Sequence, residues 1–136
     1  MQIAFSKQQG RVPVTLMQLT GNLDASNYTD VIAQAQETYD SGVRDLLIDL
    51  SQVPYVSSAG LMSLHTVVLI FAGQPFRSKE TGRPSSRAIN PQTDSAGLQH
   101  VKLLNPQPAV EQVLDVVGLK QFFGIYTDLE TAVQSF

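Results

Sequence analysis

The sequence contains no cysteine, which excludes disulfide frameworks, thiolate catalysis and zinc sites built on sulfur. Histidine is nearly as scarce. His65 and His100 are the two in the chain, too few for a multi-histidine metal centre, so no metal ligands are expected. Charge is sparse too, at 15% of 136 residues, and it nets to −3. Neutralising phosphates requires a concentrated basic surface, so direct nucleic-acid binding is not expected. Long apolar runs are missing: the longest, 61–72, is broken by Ser63, His65 and Thr66 and falls short of the roughly twenty residues that cross a bilayer. The opening residues lack a basic stretch followed by an apolar one, so neither a secretion signal nor membrane insertion is expected. A cytoplasmic location fits this reading.

With 43% hydrophobic residues, the chain can bury one domain's core. A short apolar run at 3–5 and alternation of Val12, Val14 and Leu16 within 12–19 read as two paired strands, turned by Gln9, Gly10 and Arg11. Pro13 suggests that the second strand lies at a sheet edge. Tyr28, Val31, Ile32, Ala35 and Tyr39 follow helical spacing, with Asp24 or Ser26 as candidate cap and Ser41-Gly42 as the stop. Leu46, Leu47 and Ile48 in a row predict a central strand covered on both faces. A largely apolar helix follows from Ser57 or Ser58 to about residue 72. Val101, Leu103 and Leu104 predict a strand, Pro106 and Pro108 open a helix that Gly118 stops, 122–126 reads as a short strand, and Thr127 or Asp128 starts a last helix.

The expected fold is therefore α/β, a mixed central sheet of about five strands with about four helices, in a single domain over 1–136. Residues 73–98, rich in Gly, Pro, Ser and Thr, read as a loop inserted into it. That segment carries Arg77, Lys79, Arg83 and Arg87 against Glu80 and Asp94, leaving about +2 there and about −5 elsewhere. It reads either as a solvated loop or as a contact for an acidic partner.

Chemistry concentrates where Asp49-Leu50-Ser51 runs through a turn to Ser57-Ser58-Ala59-Gly60-Leu61. Two hydroxyls there meet a helix N-terminus, whose unpaired N–H groups suit a serine cap and equally suit a phosphate. Residue preference alone does not separate the two roles. A Ser58, His65 and Asp49 triad fails on geometry, because seven residues along one helix separate Ser58 from His65 by about 10.5 Å. His65, beside Leu61, Leu64 and Val68, reads as a core residue. The Gly-x-Ser-x-Gly elbow, the phosphate loop and the dinucleotide turn are all missing, so neither a catalytic residue nor a cofactor is expected.

Three stretches together resemble the STAS domain of anti-sigma factor antagonists, bacterial regulators of transcription. They are Gly21-Asn22-Leu23-Asp24, Asp49-Leu50-Ser51 through Leu61, and Val117-Gly118-Leu119 through Phe123 and Ile125-Tyr126. In that family the central turn usually reads Asp-Ser-Ser-Gly, and an anti-sigma factor that is itself a serine kinase phosphorylates the first serine. Aligned on Gly60, the resemblance puts Ser57 at the place of the Asp, Ser58 at the acceptor and Ala59 at the second serine. It implies a phosphoprotein with Ser58 as acceptor and Ser57 as second candidate. It also implies a partner-binding surface of Asp24, Ser57, Ser58, Gly60, Leu61 and Met62, and a phosphatase to reset the switch. Asp24 has a second reading, as a helix cap, and Asp49 one as a turn residue. The alternative function is a ligand-sensing or assembly module on the same fold without phospho-switching. A homodimer is compatible with either.

Overall fold

The computed structural model describes residues 2–72, 99–118 and 123–136. Strands β1 (Gln2–Gln9) and β2 (Pro13–Thr20) form an antiparallel hairpin in which Gln9 lies opposite Pro13. The chain then alternates α1 (Tyr28–Asp40), β3 (Leu46–Gln52), α2 (Ser58–Phe71), β4 (Val101–Leu104), α3 (Pro108–Val116), β5 (Gly124–Tyr126) and α4 (Leu129–Gln134). The strands lie in the order β1-β2-β3-β4-β5, and every pairing except β1 with β2 is parallel. Among the described residues, a mixed five-stranded sheet with four helices matches the expected α/β architecture. Among the described residues no helix is long and apolar enough to cross a membrane.

Strand alternation divides the core in two. Met17, Leu19, Leu46, Ile48, Leu50, Val101 and Leu103 pack with α1, α2 and α3 through residues such as Val31, Ile32, Leu64, Val68 and Leu114. On the opposite face Val14, Leu16, Leu47 and Leu104 meet Ala132 and Val133 of α4. The run Leu46-Leu47-Ile48 is thus buried from both sides, which is why its hydrophobicity is continuous. Helix α2 is buried throughout from Ser63 to Phe71, and its polar residues turn back on their own helix: Ser63 Oγ donates to the Gly60 carbonyl at 2.6 Å and Thr66 Oγ1 to the Met62 carbonyl at 2.8 Å.

Several boundaries differ from the sequence reading. Pro13 does not mark an edge. It is the first residue of β2, where a missing N–H costs no ladder bond, and the edge strand is β1. β1 is longer than its apolar core because its polar residues are carried by the ladder to β2. The N-cap position of α1 is Asn27, not Asp24 or Ser26, and its side chain makes no cap hydrogen bond. Asp24 instead closes a turn by accepting from the Ser26 N–H at 2.9 Å, while the Asn27 side chain accepts from the Asp24 N–H and donates to the Asn22 carbonyl. Its other end follows expectation: Gly42, at φ +108°, donates to the Tyr39 carbonyl and Val43 donates to that of Thr38, the Schellman pattern. The stretch 73–98, expected from sequence to be an inserted loop with four basic residues, and positions 119–122, including Leu119 and Phe122, lie outside the described residues.

Candidate functional site

The four parallel strands all end on the same side of the sheet, where the Ser57-Ser58 turn leaves β3 for α2. Crevices at the carboxyl ends of parallel strands are where such sheets place their functional loops. Ser57 is the N-cap of α2, and its Oγ accepts the Gly60 N–H at 3.2 Å. Its own N–H donates to the Leu23 carbonyl at 2.9 Å. Ser58 is the first helical residue and is exposed. Among the described residues its hydroxyl has no hydrogen-bond partner, and neither its N–H nor that of Ala59 has an acceptor. The two serines therefore divide the roles that their types alone left open: one is held by the cap, the other faces solvent at a helix N-terminus with two N–H groups beside it.

A second loop is zipped onto this turn. Leu23 bridges Val56, its N–H donates to the Tyr55 carbonyl at 2.9 Å, and its carbonyl receives the Ser57 N–H. Gly60 makes that contact sterically feasible, since a Cβ at this position would lie 2.6 Å from the Leu23 carbonyl oxygen and 2.8 Å from Val56 Cγ1. Gly60 and Leu61 are thereby buried, and they shape the surface from beneath, while Met62 is partly exposed. The close approach at Gly60 is to the chain's own Leu23. Asp24, next in the loop, accepts hydrogen bonds from the Ser26 hydroxyl and the Ser26 N–H, and these hold its carboxyl below the ordinary value of 3.8. A fixed negative charge thus sits on the loop docked against the Ser57-Ser58 turn.

His65 is buried within α2, 7% exposed, and Asp49 accepts the Ser51 N–H at 2.9 Å, the turn role anticipated for it. The structure does not bring Ser58, His65 and Asp49 together through hydrogen bonds among the described residues. Two features were missed in the sequence. Tyr55 is 52% exposed on the loop leading to Ser57, its backbone fixed by Leu23. Gln107 Nε2 donates to the Ser51 carbonyl at 2.9 Å, and the Asn105 N–H donates to that of Tyr126, so the loop after β4 braces both neighbouring strands. Asn105 does so at φ +52°, a conformation asparagine tolerates better than most residues. An aromatic after a proline in a turn was the available signal for Tyr55; none pointed to Gln107.

Residues 6–69 match the family model of the STAS domain. The fold is similar to that of several solved structures. A Thermotoga maritima protein assigned as an anti-sigma factor antagonist aligns with TM-score 0.67 at 16% identity, over 94% of this chain and 90% of its own. An anti-sigma factor antagonist from Mycobacterium paratuberculosis aligns with TM-score 0.63 at 20% identity, over 98% and 95%. The anti-sigma factor antagonist SpoIIAA in its unphosphorylated form aligns with TM-score 0.61 at 18% identity, over 95% and 93%. No curated protein matches the sequence significantly.

Proposed function

We propose that this chain, which carries a STAS domain on the fold of the anti-sigma factor antagonists, is itself such an antagonist: a bacterial, cytoplasmic regulator of transcription that binds an anti-sigma factor serine kinase and is switched by phosphorylation at Ser58. In this reading 1–136 is a single domain with an insertion at 73–98, and its role is binding. The observation that carries it is the division of labour at the start of α2, where Ser57 is occupied by capping and Ser58 presents a free hydroxyl to solvent.

The unmodified surface of Asp24, Ser58 and Met62, shaped from below by Ser57, Gly60 and Leu61, would dock on the kinase and so free a sigma factor. A phosphate brings about −1.5 to −2 charges near pH 7. On the free protein the helix dipole and the N–H groups of Ser58 and Ala59 accommodate it, so the fold survives. Inside a desolvated interface next to the Asp24 carboxylate it has no such compensation, and the complex dissociates. A phosphatase then restores the binding form.

The test compares retention from native lysate on unmodified, Ser58→Ala and Ser58→Asp baits, followed by mapping of any phosphate that the retained kinase transfers. A small ATP-binding kinase held by the first two baits and lost from the third, with phosphate on Ser58, supports the scheme. Equal retention on all three, or phosphate on Ser57, refutes it as written.

A further inference from the structure

Among the described residues, the outer edge of β1 presents a row of unpaired backbone groups whose identity follows from one hydrogen bond. The Thr15 N–H donates to the Asp45 carbonyl at 3.0 Å, so Thr15 directs its backbone toward β3. Successive residues of a strand direct their amide groups to opposite edges, so Val14, Leu16 and Gln18 turn toward β1. There they lie opposite Gln8, Ser6 and Ala4, which must turn toward them. Ile3, Phe5 and Lys7 are left with N–H and C=O groups directed away from the sheet, and no described residue pairs with them.

Natural sheets shield such an edge by keeping it short, or by proline, bulges or several charges. β1 has eight residues, no proline, an unbroken register with β2 and a single charge, Lys7. We propose that β1 is a self-association seam, through which two copies of this chain pair antiparallel about a twofold axis into one ten-stranded sheet. An antiparallel pair of identical strands is its own complement, and the outward groups require odd residues to face odd residues. The register centred on Phe5 satisfies this. It sets Phe5 opposite Phe5 of the second copy and Ile3 opposite Lys7, with the two lysines at opposite ends of the seam. Phe5, 40% exposed, thereby gains an aromatic neighbour. Charge points the same way: a chain of net −3 repels its copy, but β1 carries no carboxylate. The inference is independent of the reading of Ser58.

One strand pair is smaller than the roughly 1,600 Å² of a standard interface, so the dimer is weak, with Kd between about 10 μM and 1 mM. Sedimentation velocity of the full chain from ~5 μM to ~1 mM brackets that range. The wild type is expected to shift from 14.8 kDa toward twice that mass. Phe5→Lys, which opposes two ammonium groups at the axis, and Phe5→Pro, which removes one outward N–H but no bond to β2, are expected to remain monomeric with thermal melts close to that of the wild type. A wild type that stays monomeric throughout overturns the proposal, as does dimerisation undiminished in both variants or polydisperse aggregation without a discrete dimer. If neither variant folds, wild-type amide exchange decides. Slowing of the Ile3, Phe5 and Lys7 amides at ~1 mM, by about twofold at the weak end of that Kd range and about tenfold at the tight end, supports the seam, and unchanged rates overturn it.

Discussion

Replacing Gly60 by alanine tests the link between the two loops of the site. In an unconstrained helix alanine is favoured over glycine by about 1 kcal/mol, so the substitution would stabilise α2 if nothing stood in the way. Here the new methyl would lie 2.6 Å from the Leu23 carbonyl oxygen, 2.8 Å from Val56 Cγ1 and 2.9 Å from Leu23 Cγ. The nearest obstacle is backbone, which cannot swing aside like a side-chain tip. The Leu23 carbonyl also receives the Ser57 N–H, so displacing it loosens the cap residue. Overpacking costs about 1–3 kcal/mol, and with backbone as the obstacle the upper half of that range applies, so against the propensity gain the expected net loss is about 1–2 kcal/mol. For a domain of this size that is roughly 3–8 °C in Tm. Urea denaturation measures the loss, and amide exchange at Ser57 locates it, since that proton should exchange faster. Gly42→Ala is the control: no atom lies within 4 Å of its Cβ, so any loss there comes from its φ of +108° and leaves Ser57 untouched. A Gly60→Ala variant as stable as the wild type, with Ser57 exchange unchanged, would show that the Leu23 loop is not locked to the helix as described.

Ser57→Ala should cost about 1 kcal/mol in urea denaturation through loss of the cap, whereas Ser57→Asp, another good capping residue, should cost little. Ser58→Ala, at an exposed position without a partner, should stay within about 0.5 kcal/mol of wild type in the same assay. Leu64→Ala should destabilise by about 2–5 kcal/mol, because its side chain is fully buried where α2 meets the sheet; a loss under 1 kcal/mol in calorimetry would contradict that placement. Asp24 and Asp128 are both held below 3.8, Asp24 by the Ser26 hydroxyl and N–H, Asp128 by the Thr131 N–H and hydroxyl. Each therefore stabilises the fold above that value and ceases to do so as pH falls through its lower folded value. Asp128→Asn should flatten the acid limb of a stability–pH curve, and an unchanged limb would show that the carboxylate is not what holds Thr131.

Elements with one periodicity were legible from sequence. The continuous run at Leu46, the alternation after Pro13 and the capped apolar helix from Ser58 each state their burial locally, and each sits where expected. What depends on a distant partner was not legible. Helix α1 begins after Asn27 with no side-chain cap, because the Asp24 carboxylate is engaged by Ser26 and the Asn27 side chain by Asp24 and Asn22, pairings set by loop geometry that preference scales do not encode. The burial of Gly60 likewise follows from Leu23 crossing over it from a loop more than thirty residues earlier in the chain. The doublet Ser57-Ser58 announced a helix start, but only the hydrogen bond from Gly60 shows which hydroxyl is spent.

The direction of α2 also makes the domain a convenient chassis. Its fourteen residues span about 21 Å, from Ser58 beside the end of β3 to Phe71, and the chain re-enters the sheet at Val101, which pairs with Leu46 at the opposite end of β3. Residues 72 and 99 thus lie about a helix length from Ser58. A fluorescent reporter attached at residue 72 or 99 would sit about a helix length from Ser58 and so report on the surface around that serine without covering it.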